Sequence, residues 1–204
     1  MNKLQQLSKK NLIRPPKWVP DNTVYLVYTG SMAYGVSSDT SDMDCYGIVV
    51  PPKEMCFPHL TGEILGFGRQ IQRFETWQEH HIEVPEEMNN NGRTYDFQIY
   101  SIIKFFQLAM DNNPNIVDCL FVPHTCVLHT TAVGNLIREN RKIFLHKGCW
   151  HKFKGYAFSS LHKAKFKEHK GIKKVEEFED KHNILRSITL EQVENEMLKR
   201  KLLK

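Results

Sequence analysis

No stretch of this 204-residue chain approaches the roughly 18 consecutive apolar residues of a membrane-spanning helix. The opening MNKLQQLSKK holds no apolar core of the kind a secretory leader carries. The five cysteines (Cys45, Cys56, Cys119, Cys126, Cys149) are odd in number and never spaced Cys-x-x-Cys, so neither a disulfide framework nor a zinc ribbon is indicated. His146, Cys149 and His151 stand close together, but scattered His and Cys are more often structural than ligands, and no metal is assigned to them. No internal repeat is present. With 41% hydrophobic and 25% charged residues the composition is that of a globular protein, which excludes disordered, collagenous and coiled-coil readings. The expectation is a soluble, intracellular protein with one core and a helical extension.

Acid is almost absent from one segment. Residues 147–174 contain nine lysines against Glu168 alone, a balance of +8, so the remaining residues carry −3 of the chain's +5. A slightly acidic core joined to one basic segment suggests a platform for a polyanion. Trp150, Phe153, Tyr156 and Phe158 lie among these lysines. Aromatics between cations can stack bases while Lys152, Lys154, Lys163, Lys165 and Lys167 hold phosphates. A solvated helix face is the plain alternative. Trp150, Ala157, Leu161 and Ala164 also share one helical stripe, so part of the aromatic set is expected in the core.

Along the chain, residues 1–22 are basic and broken by Pro15, Pro16 and Pro20, which predicts an extended lead-in packed by Trp18. Residues 24–28, 42–50 and 95–100 predict strands, and 101–110 an amphipathic helix with Ile102, Phe105, Phe106 and Ala109 on one face. The stretch from 53 to 91 is less legible, with Gly62, Gly66 and Gly68 suggesting hairpins. From Thr131 the pattern is helical: 132–145, then 149 to about 170, then a last helix opened by Thr189 with capping-box spacing to Gln192.

The sharpest signal is an order of parts: strand, Gly30-Ser31, short helix, polar loop, then Asp42-x-Asp44 entering a strand. Glycine allows close backbone approach to a polyphosphate, Ser31 adds a hydroxyl, and the next helical turn points free N–H groups at an anion. Aspartates at i and i+2 on a strand share a face and can hold the same divalent ions. Asp96, in a neighbouring predicted strand, could complete three carboxylates. Such a set suits in-line displacement at phosphorus with two Mg²⁺ ions, or Mn²⁺ in their place.

Gly30-Ser31-Met32-Ala33-Tyr34-Gly35 with Ser41-Asp42-Met43-Asp44-Cys45-Tyr46-Gly47 resembles the nucleotidyltransferase superfamily typified by DNA polymerase beta. Within it the chain resembles the predicted nucleotidyltransferases of bacteria and T4-like phages that are linked to RNA repair. The likeness extends over Pro15-Pro16-Lys17-Trp18, Phe57-Pro58-His59-Leu60, Phe74-Glu75, Asn113-Pro114-Asn115 with Asp118, and Lys147-Gly148-Cys149-Trp150-His151. It also takes in Phe153-Lys154-Gly155-Tyr156-Ala157, so that it spans about residues 12–165. The resemblance implies an α+β fold, a small mixed sheet flanked by helices, with a catalytic core at 1–128 and a helical extension at 129–204. It implies an NTP such as ATP as donor, a nucleotidyl group passed to an acceptor, and release of pyrophosphate in a bacterial or phage-infected cytoplasm. By position, Gly30 and Ser31 would hold donor phosphates, Asp42 and Asp44 would bind both metals, and Asp96 would be third ligand and base. Asn113 and Asn115 are expected to tie down a helix end.

Two departures stand out. Met32 stands where many relatives have arginine or another residue. The resemblance also implies a further C-terminal helical segment with a His- and Arg-containing motif, of which His182 to Arg186 is only a faint echo. The chain stops at Lys204 within an amphipathic pattern, which suggests a shortened or split form. RNA is the favoured acceptor on the strength of the basic segment. The alternatives are a protein or small-molecule acceptor, an inactive nucleic-acid-binding relative, and metal-dependent phosphodiester hydrolysis.

Overall fold

The computed structural model describes residues 1–39, 41–64, 66–68, 73–87 and 92–162. Five described strands form one mixed sheet: β1 (Thr23–Tyr28), β2 (Met43–Val49), β3 (Thr76–Val84), β4 (Arg93–Ser101) and β5 (Val127–Thr130), in the order β3-β4-β2-β1-β5. The central β2–β4 pair is parallel and the other three pairs are antiparallel. With helices on both faces this is the α+β fold expected.

Alternation along the strands divides the core in two. Met43, Cys45 and Val49 of β2, Leu26 of β1, and Tyr95, Phe97 and Ile99 of β4 pack with Leu4, Leu7, Ile13 and Val19 of the N-terminal segment. Ile48 of β2, Tyr25 and Val27 of β1, and Tyr100 of β4 pack instead with Phe105, Ala109, Ile116, Leu120 and Ile137. These last five belong to α5 (Ile102–Met110), α6 (Pro114–Phe121) and α7 (Ala132–Glu139).

The N-terminal lead-in is not extended. Asn2 opens α1 (Lys3–Lys9) with a reciprocal cap: its side chain accepts from the Gln5 N–H at 2.8 Å, and the Gln5 side chain accepts from the Asn2 N–H at 2.9 Å. Leu4 and Leu7 then bury the inner side of the helix. A single turn, α2 (Val19–Asn22), leads into β1, and Trp18 packs edge-on against Phe74 with ring centroids 4.8 Å apart.

Beyond β2 come a turn of helix, α4 (Lys53–Cys56), and a 3₁₀ turn at Pro58–Thr61. Among the described residues the glycines at 62, 66 and 68 form no hairpin, and β3 and β4 pair antiparallel. Asn113 caps α6 by accepting from the Asn115 N–H at 3.1 Å, the structural part expected of it. The helix expected over 132–145 stops at Glu139 and gives way to a 3₁₀ turn at Arg141–Phe144. A tertiary contact overrides the local pattern there. Buried Asn112 donates to the Phe144 carbonyl at 2.6 Å, and Phe144 packs on Phe106 with centroids 5.6 Å apart.

Arg138, buried at the end of α7, donates to the Tyr25 hydroxyl at 2.9 Å and to the Val122 carbonyl at 2.5 Å. Val122 is the C-terminal cap of α6, where carbonyls lack helical partners and the helix dipole favours a cation. The guanidinium thus ties α6, α7 and β1 together.

The chain divides after Lys152 into two units. Residues 148–162 are helical, and Lys152 and Lys154 are exposed. Trp150, Ala157 and Leu161, expected in the core, are also exposed. Ala164, Lys163, Lys165, Lys167 and the helix expected from Thr189 lie outside the described residues. Among the described residues no helix is long and apolar enough to cross a membrane.

Candidate active site

β1 hands over directly to the candidate phosphate loop. The Thr29 N–H donates to the Asp44 carbonyl at 2.9 Å, extending the β1–β2 pairing by one residue. The chain then turns into α3 (Gly30–Tyr34), which Gly35 closes in the left-handed conformation at φ 70°. Gly30 itself has φ +57°, and a Cβ at this position would collide with Oδ2 of Asp44. Glycine is therefore required twice over, by the backbone angle and by the carboxylate lying against it.

Asp44 and Asp96 are partners in the parallel β2–β4 register. Both lie on the face that carries Ile48 and Tyr100, toward the strand starts and away from the end covered by α5. Each is half-buried. Burial raises the Asp44 pKa above the ordinary carboxylate range, Asp96 and then Asp42 add to the rise, and His80 opposes it.

Asp42 is exposed just ahead of β2. The loop before it is braced by Ser38 and Ser41: the Ser38 N–H donates to Ser41 Oγ at 2.9 Å, and the Ser41 N–H donates to the Ser38 carbonyl at 3.1 Å. Arg93, at the start of β4, donates to the Ser41 carbonyl at 3.3 Å. The fold thus joins Gly30, Asp44 and Asp96 in one place and sets Asp42 at its edge. Among the described residues no three His, Cys, Asp or Glu side chains are gathered closely enough to hold a metal ion. The chemistry of the acids nonetheless fits a hard divalent cation. Two adjacent strands present oxygen donors whose mutual repulsion a cation would relieve.

Two histidines at this site carry no recognisable motif. The β3–β4 register shifts between Glu79 and Ile82, so that His80 and His81 together oppose Asp96. This is a β-bulge. His81 takes φ 57°, its N–H donates to Asp96 Oδ1 at 2.7 Å, and His80 Nδ1 stands 3.4 Å from Asp96 Oδ2. One trace was present in the sequence. The inward positions of β3 change parity, from Trp77 to Ile82 and Val84, and an unbroken strand cannot do that.

His146 is engaged at both ring nitrogens, Nε2 with the Met110 carbonyl at 2.8 Å and Nδ1 accepting from the Gly148 N–H at 3.1 Å, which fits a structural role.

Residues 1–176 match the family described as RlaP, RNA repair pathway DNA polymerase beta family. The chain belongs to that family. The matched span contains the whole sheet and every part of the site described above, from Gly30 to Asp96. The chain is also similar to an uncharacterized 38.9 kDa protein in the nrdC-mobD intergenic region of Enterobacteria phage T4. The two are 30% identical over 126 residues, a stretch that is 60% of this chain and 33% of that protein. The chain therefore spans about a third of the length of the curated relative it matches. No solved structure matches the chain.

Proposed function

We propose that the protein is a nucleotidyltransferase that passes a nucleotidyl group from an NTP to an acceptor hydroxyl, with RNA as the acceptor. The observation that carries this reading is the register pairing of Asp44 with Asp96, with the Gly30 turn seated against Asp44. Family membership points to the same reaction class.

In the reaction, the acceptor oxygen forms a bond to the α-phosphorus while the bond from that phosphorus to the bridging oxygen breaks, and pyrophosphate leaves. Asp44 and Asp96, joined by Asp42 from the edge of the site, would hold Mg²⁺ or Mn²⁺, which when bound would neutralise the phosphates and make the acceptor hydroxyl more acidic. Gly30 lets the donor phosphates approach the main chain, and Ser31 offers a hydroxyl and an N–H at the first turn of α3. Asp96, opposite Asp44, accepts the proton of the attacking hydroxyl. Exposed Lys152 and Lys154, with Trp150, Tyr156 and Phe158, supply cations and stacking surfaces suited to RNA, and Lys163, Lys165 and Lys167 extend the basic run.

The test incubates the protein with each α-labelled NTP, Mg²⁺ or Mn²⁺, and total RNA mixed with total protein, with the Asp42→Asn/Asp44→Asn double variant as control. Label on RNA with the native protein alone is the expected result. Label on protein would replace the acceptor while keeping the reaction. Absence of label on anything, with RNA still bound, would overturn the enzymatic reading in favour of a nucleic-acid-binding protein.

A further inference from the structure

We propose that the β-bulge at His80-His81 is a positioning device for Asp96, with the His80 ring and the His81 N–H each holding one oxygen of that carboxylate. The inference rests on the nucleotidyltransferase reading of the site and adds to it a pair of residues outside the three aspartates.

Three observations carry it. The two contacts divide the carboxylate between them: Oδ1 accepts from the His81 N–H at 2.7 Å, and Oδ2 faces His80 Nδ1 at 3.4 Å. Both depend on the extra residue in β3, because two residues oppose Asp96 where a regular ladder would supply one. The bulge also places His81, a residue with a Cβ, at φ 57°, in the left-handed region that such residues enter only at a cost.

The return to the fold is small. The His80 side chain is 53% exposed, and an ion pair or hydrogen bond in that setting adds little to stability. What the bulge does provide is orientation. A carboxylate hinged at two side-chain torsions is fixed by partners on both oxygens, and a group that must meet both an acceptor hydroxyl and a cation benefits from being held in advance. His80 is therefore a positioning residue acting through Asp96.

The test compares the native protein with His80→Ala and His80→Asn, since the Asn amide nitrogen can take the place of Nδ1. Mn²⁺ affinity is measured by calorimetric titration without nucleotide, alongside kcat and KM for the NTP. His80→Ala is expected to weaken Mn²⁺ binding about 10- to 100-fold and to lower kcat by a similar factor, with KM for the NTP little changed. His80→Asn is expected to recover most of both losses. Native Mn²⁺ binding that His80→Ala leaves unchanged would overturn the positioning role alone. An alanine variant no worse than the asparagine one would do the same. Absence of Mn²⁺ binding by the native protein would overturn the reading of the aspartates, and this proposal with it.

Discussion

Two carboxylates near one end of the sheet meet opposite fates. Glu87, in the turn after β3, pairs with Lys3 and accepts from the Tyr95 hydroxyl at 2.6 Å, while the Lys3 ammonium sits 4.5 Å from the centre of the Tyr95 ring. Burial pushes the Glu87 pKa up, but the bonds from Lys3 and Tyr95 outweigh it and leave the group below its ordinary value. Asp44 is more deeply buried than Glu87 and has Asp96 and Asp42 as the next influences on it, so its pKa rises. The chain supplies Glu87 with its own counter-charge and leaves Asp44 without enough. Charge balanced internally is what a structural group needs. Charge that only a cation from solution can balance is what the proposed chemistry needs.

The largest break in this comparison is Asp44→Asn. Removing one of the proposed charged ligands should cost several kcal/mol of transition-state stabilisation, about 10³-fold or more in the rate of label transfer. Without divalent cations the same change should raise the melting temperature, because it removes a repelling charge. The pH dependence has a matching sign. Folded Asp44 holds its proton more tightly than the unfolded chain does, so its contribution declines as pH rises from the ordinary carboxylate range through the raised value. A melting series from acid to neutral pH should show that decline in the native protein and lose it in Asp44→Asn.

Next in size is Gly30→Ala. It forces a side chain into the left-handed region and against the Asp44 carboxylate. A loss of about 2–3 kcal/mol in denaturant unfolding is expected, together with loss of transfer. Unchanged stability and activity would mean that the loop and the carboxylate are not built against each other.

The smallest effect belongs to the balanced partner. Glu87→Gln removes a charge-assisted pair that is partly open to water, at a cost of about 1 kcal/mol. Its pH signature is the reverse of that of Asp44. The stabilisation from Glu87 is complete above the ordinary carboxylate range and is lost as pH falls through the lowered value. Glu87→Gln should therefore flatten the acid limb of the stability curve and leave transfer nearly unchanged.

Much of this arrangement was readable from residue order. Alternation marked β1, β2 and β4 to within two residues, and the apolar face of α5 followed its period. Gly30, Asp42 and Asp44 stood out because a glycine turn and an Asp-x-Asp pair are each tied to local geometry. Asp96 followed from its place in a strand. What escaped depended on distant partners. α1 was masked by the prolines after it, although Asn2 and Gln5 already had capping-box spacing. The end of α7 is set by Asn112 and Phe106, each more than 20 residues earlier. The exposure of Trp150 and Leu161 runs against an apolar stripe that periodicity assigned to the core. His80 and His81 reach the site through a one-residue slip in pairing, which no motif encodes and only the parity of Trp77, Ile82 and Val84 betrays.

The most direct measurement is the melting temperature of three proteins, native, Asp44→Asn and Glu87→Gln, each with and without Mn²⁺ at neutral pH. A cation that meets the unbalanced charge should raise the native and Glu87→Gln proteins alike and leave Asp44→Asn unmoved. An equal rise in Asp44→Asn would mean that the cation binds elsewhere, and would contradict the assignment of this site.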